Sequence, residues 1–161
     1  MWLAAVLSAF VVFGLVLLAP LCLAHGHPFI ARVIYKAFGP VCHQITERSI
    51  YLEGYPHAVC ARCFGLYGGF VAGLVVYPLV RALDQISVPA RAWLIAAVLP
   101  TTIDWALGYA GLWENTHLSR SITGALLGAA AVFYVMPGLV DLSRVSWRSF
   151  FAAPKANEAQ N

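Results

Sequence analysis

Three cysteines are the residues of this chain that are best suited to chemistry. Cys42 stands in the run Cys42-His43-Gln44, and Cys60 and Cys63 form a Cys-x-x-Cys pair further along the chain. Thiolates are preferred ligands of Zn²⁺, and a Cys-x-x-Cys pair with a third cysteine and a histidine supplies a tetrahedral site. The spacing therefore predicts a metal site, with zinc as the bound ion.

Two histidines are candidates for the fourth ligand. His43 adjoins Cys42, and chelation by two neighbouring residues is strained, whereas His57 stands three residues before Cys60. The spacing alone leaves this choice open. A closed shell of four protein ligands would indicate a structural zinc site, whereas three ligands and an exchangeable position would indicate hydrolytic or transfer chemistry.

A second group of polar side chains stands in or beside apolar segments. Asp104 interrupts one such segment, and an ionised carboxylate in a bilayer costs about 3 kcal/mol or more unless it finds a partner or water. We expect an arginine partner, in either a structural pair or a cavity that faces the cysteines. The cavity is favoured because Pro100 predicts a helix break one turn earlier. The candidate catalytic residues are Asp104, Arg62, Arg120, Asn115 and Arg48.

The composition is that of an integral membrane protein. Hydrophobic residues make up 61% of the 161 residues and charged residues only 11%, whereas soluble domains carry about 25% charged residues. Apolar segments close to the ~20 residues that a span requires lie at about residues 2–24, 64–80, 88–109 and 122–142. We predict an all-α protein with a four-helix transmembrane bundle as a single domain over residues 1–145. A polar tail at residues 146–161 follows it.

Between the first two spans, apolar residues recur at helical spacing from Phe29 to Val41, while Arg32 and Lys36 fall on the opposite face. This pattern predicts a short amphipathic helix, which Gly39-Pro40 should end. Such a helix lies in the membrane interface or packs on the spans, and the pattern fits both arrangements equally well.

Small residues repeat every four positions in the second and fourth spans. The second span carries Gly65, Gly69 and Gly73, and the fourth carries Gly124 and Gly128. Glycines at this spacing share one helix face and let the backbones of neighbouring membrane helices approach closely. We expect them to fix the second and fourth spans around the site that these spans frame.

The combined pattern resembles a known family. The runs Cys42-His43-Gln44 and Arg48-Ser49, with the run from Cys60 to Gly69, are similar to the signature of a family of small bacterial and archaeal multi-pass membrane proteins. This is domain-of-unknown-function family two thousand and eighty-five. The resemblance covers about residues 40–130 and extends to Asp104, Asn115, Arg120, Thr123 and Gly124. It implies membership, supplies no activity, and points to His43 as the fourth metal ligand.

Two other functions remain open. Short loops and glycine-rich faces suit an accessory subunit of a respiratory or photosynthetic membrane complex. A membrane thiol-disulfide oxidoreductase would also place a Cys-x-x-Cys pair at a helix end, but the loop at residues 111–120 lacks the cysteines of a second, shuttling pair. A net charge of +3 without a basic patch gives nucleic-acid binding no support, and we expect no nucleic acid as a partner.

The expected partners are the lipid bilayer and other membrane subunits, and the sequence does not identify a substrate. We expect a bacterial protein of the inner (cytoplasmic) membrane. Five basic residues fall on each side of the four spans, which decides no orientation by the positive-inside rule. If Arg48, Arg62 and Arg120 are held in a site, the count becomes five against two and places both termini in the cytoplasm.

Overall fold

The computed structural model describes residues 1–144, which are mostly helical. A 3-10 turn covers Thr46–Arg48, and a two-stranded antiparallel hairpin joins β1 (Tyr51–Leu52) to β2 (Tyr55–Pro56). The α-helices of the described residues are α1 (Trp2–Ala24), α2 (Pro28–Phe38), α3 (Ala61–Val80), α4 (Arg91–Tyr109) and α5 (His117–Arg144).

Four of these helices, α1, α3, α4 and α5, are long and apolar enough to cross a membrane. The predicted all-α membrane fold is therefore confirmed for the described residues. The 3-10 turn and the hairpin are added to it, and the hairpin turns at Glu53 and Gly54, which both have positive φ. The polar tail predicted at residues 146–161 lies outside the described residues.

The helix boundaries differ from those that hydropathy predicts, because polar residues occupy the first turns. α3 begins three residues before its predicted start and so includes Arg62 and Cys63. α5 begins five residues early and includes Arg120, with the Ser119 N–H donating to the Thr116 Oγ1 at 3.0 Å as a helix cap. α4 begins three residues late, after Pro89. Several chemically interesting side chains thus stand on helices rather than in loops.

α4 continues through Pro100 without a break, so the predicted interruption at this residue is wrong. A proline removes one backbone hydrogen bond, and a membrane helix tolerates this loss when neighbouring helices supply other partners. The next residue ties α4 to α5, since the Thr101 hydroxyl donates to the Thr123 carbonyl at 2.9 Å.

α3 and α5 run parallel and touch through their glycine faces, as their sequences predict. A Cβ atom added to Gly69 would lie 2.1 Å from the Ala125 carbonyl oxygen, and one added to Gly124 would lie 2.2 Å from the Arg62 carbonyl oxygen. Side chains do not fit at such distances, so the two backbones are in direct contact. Because the helices are parallel, their N-terminal ends meet at the same end of the bundle.

α1 and α2 complete the packing around α3. The Trp2 indole N–H donates to the Leu74 carbonyl of α3 at 2.8 Å, which holds the start of α1 against the middle of that helix. The apolar face of α2 is divided: Ile34 and Phe38 are buried in a core that α1 shares, whereas Phe29 is 78% exposed. Part of α2 therefore packs on α1, and the location of its exposed part in the membrane interface stays a prediction.

Replacement of Gly69 by alanine should lower the stability of the bundle by about 2–3 kcal/mol, because the added methyl group displaces the backbone of α5. Thermal melting of the purified protein in detergent, followed by circular dichroism, measures this loss. Gly138→Ala in α5 is the matched control, since a Cβ there meets nothing within 4 Å. Equal melting temperatures for the two variants would contradict the close approach of α3 and α5.

Candidate metal centre

The three cysteines of the sequence motif lie together at one end of the bundle. The Sγ atoms of Cys42, Cys60 and Cys63 are all within 4.8 Å of one another. Three sulfurs bound to one zinc at ~2.3 Å lie about 3.8 Å apart in a tetrahedron, so the observed grouping is close to that of a ligand set. Cys22 is buried near the end of α1 and is not part of the group.

Cys42 is held in place by the chain that follows α2. The Gln44 side-chain amide donates to the Tyr35 carbonyl at 2.7 Å and to the Ala58 carbonyl at 2.8 Å. The Tyr35 hydroxyl donates to the Pro56 carbonyl at the end of the hairpin. These bonds join the segment after α2 to the segment before α3, and they bring Cys42 next to the Cys-x-x-Cys pair.

Several donors stabilise negative charge on the sulfurs. The Cys60 N–H donates to the Cys42 Sγ at 3.2 Å, and the Gln44 N–H does so at 3.5 Å. Cys60 stands at the N-cap of α3, where the helix dipole favours a thiolate. A hydrogen bond with the Cys63 side chain lowers the pKa of the Cys60 thiol to about 5. A metal-binding thiolate is therefore available at neutral pH.

A cavity of about 430 Å³ opens beside the sulfurs, between the segment after α2 and the helices α3, α4 and α5. The cavity carries the cysteines, a histidine, three arginines and an asparagine on one part of its wall, and apolar and aromatic groups on the rest. Its lining comprises Val41, Cys42, His43, Ile45, Arg48, Cys60, Arg62, Cys63, Trp105, Gly108, Tyr109, Asn115 and Arg120. The structure thus brings together most of the candidate residues.

Asp104 does not line the cavity, but it contacts Arg62, which does. Its carboxylate forms an ion pair with Arg62, and its side chain is only 8% exposed. The Asn115 amide donates to the Asp104 main-chain carbonyl at 2.6 Å and to its Oδ2 at 3.1 Å. The expected arginine partner is thereby found, whereas a catalytic role for Asp104 stays a prediction.

The two candidate histidines are placed differently. His43 is exposed and lines the cavity, whereas His57 is 4% exposed and packs on Phe64 with 5.0 Å between ring centroids. The Nδ1 of His57 is 2.7 Å from the Ile50 carbonyl, and burial lowers the pKa of this imidazole, which keeps it neutral at pH 7. Among the described residues, neither histidine joins the three sulfurs within 4.8 Å, so the fourth ligand stays a prediction.

Sequence reasoning missed a tight contact that positions Asn115. A Cβ atom on Gly108 would lie 2.4 Å from the Asn115 Oδ1, so only glycine leaves room for this amide beside α4. The aromatic side chains Trp105 and Tyr109, which line the cavity from α4, were also overlooked as site residues. Nothing in the spacing of Gly108 and Asn115 marks them as neighbours, because the intervening turn determines their approach.

The family model described as "Predicted membrane protein (DUF2085)" matches residues 42–134, which include the whole cysteine group and Arg120. The chain belongs to this family. Two archaeal proteins are similar to this DUF2085 member along most of its length. An uncharacterized protein of Methanocaldococcus jannaschii is 37% identical over 138 residues, which cover 82% of this chain and 88% of that protein.

An uncharacterized protein of Methanothermobacter thermautotrophicus is 32% identical over 112 residues, which cover 67% of this chain and 97% of that protein. No solved structure matches the chain. The comparisons therefore establish the family but assign no chemistry to the DUF2085 site.

Replacement of Asp104 by asparagine should destabilise the protein by about 2–3 kcal/mol, because the change leaves the partly buried Arg62 without its counter-charge. The double variant Arg62→Met with Asp104→Asn should recover part of that loss, since it removes the unpaired charge as well. Denaturant unfolding in detergent measures both effects.

Asp84→Asn is the matched control for this pair, because Asp84 is exposed in the loop between α3 and α4 and its substitution should leave stability within about 0.5 kcal/mol. Additive losses in the double variant would show that Asp104 and Arg62 do not interact.

Proposed function

We propose that this protein binds one zinc ion through Cys42, Cys60 and Cys63 at one face of the membrane, beside the Asp104 and arginine cluster. The observation that carries the proposal is the grouping of the three sulfurs within 4.8 Å of one another. The backbone donors to the Cys42 sulfur add support, because they favour its thiolate. Soft thiolate ligands select zinc or copper(I) over magnesium and calcium.

The zinc ion would border the cavity, because all three sulfurs line it. A zinc ion with three protein ligands keeps an exchangeable fourth position, where it polarises a bound oxygen atom. His43 lines the same cavity and competes for this position, whereas His57 is buried against Phe64 and is not among the residues that line the cavity. We therefore propose a zinc centre with three cysteine ligands and an exchangeable fourth position, for which His43, rather than His57, is the histidine that competes.

A thiol-disulfide oxidoreductase is the second candidate. The lowered pKa of the Cys60 thiol supports it, because redox chemistry between thiols requires a thiolate nucleophile beside a second cysteine. A disulfide between Cys60 and Cys63 and a zinc ion on the same sulfurs exclude each other. An accessory role in a larger complex gains no support from the described part of the chain.

We place the protein in the inner (cytoplasmic) membrane with both termini in the cytoplasm. Arg48, Arg62 and Arg120 line the cavity and count as site residues rather than free loop charges. Five basic residues then remain on the side of the termini and two on the side of the cysteines, which supports this orientation by the positive-inside rule. The zinc site would therefore face away from the cytoplasm.

The purified protein should contain about one zinc ion per chain, and replacement of any one of the three clustered cysteines by serine should remove most of it. Elemental analysis by mass spectrometry measures the content. Cys22→Ala is the matched control, because Cys22 lies outside the sulfur group and the variant should keep its zinc.

A thiol titration under native conditions separates the two candidates. The three clustered cysteines should be protected in the zinc form and become reactive after chelation. A zinc-free preparation that contains a reducible Cys60 to Cys63 disulfide would contradict the metal centre and favour the oxidoreductase.

A further inference from the structure

We propose that the cavity beside the cysteines binds a phosphate group. The inference names the class of ligand at the proposed zinc site, and it rests on that proposal through the balance of charge in the cavity. Three arginines from three different parts of the fold carry it. Arg48 comes from the 3-10 turn, Arg62 from the first turn of α3 and Arg120 from the first turn of α5.

The positive charge of these arginines exceeds the negative charge around them. Zinc with three thiolates carries one negative charge, and Asp104 adds one more, against three positive charges on the arginines. Among the described residues that line the cavity there is no carboxylate. The zinc-loaded site thus has a net positive charge, and an anion in the cavity would balance it.

Two of the arginines also have unused hydrogen-bond donors. The Nε atoms of Arg62 and Arg120 are buried and, among the described residues, have no hydrogen-bond partner. Nearly all buried polar groups in proteins are paired, so these two unpaired nitrogens, which lie behind the cavity wall, show that the protein leaves part of the hydrogen-bonding capacity of both arginines unused. The N-terminal ends of α3 and α5, which meet here, add partial positive charge in the same place.

A phosphate group fits this donor set better than a carboxylate does. The planar fork of a guanidinium group binds the oxygens of either anion in pairs. A carboxylate offers only two oxygens, whereas a phosphate monoester offers three charged or partly charged oxygens to donors that approach from several directions. Three arginines on three elements and a zinc ion can bind more oxygens than the two of a carboxylate, so they favour a phosphate group.

The remaining wall of the cavity suits the organic part of a phosphate ester. This wall is lined by Val41, Ile45, Trp105 and Tyr109. Tyr109 is the last residue of α4, and its side chain is 84% exposed. The cavity volume of about 430 Å³ exceeds that of a phosphate ion and falls in the range of small-molecule sites. A free phosphate compound and a lipid headgroup share this chemistry, so the test has one arm for each.

The test uses the full-length, zinc-loaded protein in a neutral detergent and a phosphate-free buffer. One arm adds inorganic phosphate, and the other adds a short-chain phosphatidic acid, with the matching phosphatidylcholine as the lipid control. Calorimetric titration measures the affinity for each probe. Arg48→Met and Arg120→Met should each weaken binding about tenfold. Arg32→Met, on the exposed side of α2 and outside the cavity, should leave it unchanged.

Binding of both probes, or of phosphatidic acid alone, supports the inference and identifies the source as either any phosphate or a lipid headgroup. The inference is overturned if neither probe binds the wild-type protein better than it binds the double variant Arg48→Met with Arg120→Met. An equal loss in Arg32→Met would overturn it as well.

Melting temperature and zinc content, measured on the same samples, distinguish a loss of phosphate binding from unfolding and from loss of zinc. Arg48 stands in an exposed turn, so Arg48→Met should keep both values. A zinc-loaded protein that ignores phosphate defeats this inference alone, whereas a protein that binds phosphate without ever holding zinc defeats the proposed metal centre alone.

Discussion

The direct backbone contact between α3 and α5 is the constraint on which the site depends. Glycines at the closest points of this contact carry no side chain, so the two helices lie closer than membrane helices with larger residues there. Because α3 and α5 are parallel, their first turns meet, and the Ser121 hydroxyl ties them by donating to the Ala61 carbonyl at 3.1 Å. Cys60, Cys63 and Arg120 reach one cavity for this reason.

The same arrangement explains why α4 carries a buried carboxylate. Because α3 and α5 are parallel, the chain must cross back between the end of α3 and the start of α5, and α4 makes this crossing. It brings Asp104 to the end of the bundle where α3 and α5 begin. A buried carboxylate is costly without a counter-charge, and the pair that Asp104 forms with the partly buried Arg62 offsets that cost. Arg48 and Arg120 have no such carboxylate in the cavity lining, so the charge left there is available to thiolates and to a ligand.

The sequence predicts those features that follow from composition and short spacing. Apolar length reveals the four spans, the four-residue glycine repeat reveals the packing faces, and cysteine spacing reveals the sulfur group. It misses features that depend on distant parts of the chain, such as the contact of Gly108 with Asn115 and the engagement of His57 by the Ile50 carbonyl. Hydropathy also misplaces the starts of α3 and α5, because the residues of the site make their first turns polar. The helix break predicted at Pro100 is wrong because contacts with α5 hold α4 at the next residue.

X-ray absorption at the zinc edge of the purified protein tests the central claim most directly, because it reports the ligand atoms around the ion. Our account predicts three sulfur atoms at ~2.3 Å and one lighter atom, nitrogen or oxygen, at ~2.0–2.1 Å. Addition of phosphate should change the lighter atom while the three sulfurs remain. A zinc ion surrounded by nitrogen and oxygen atoms alone would contradict the assignment of Cys42, Cys60 and Cys63 as its ligands.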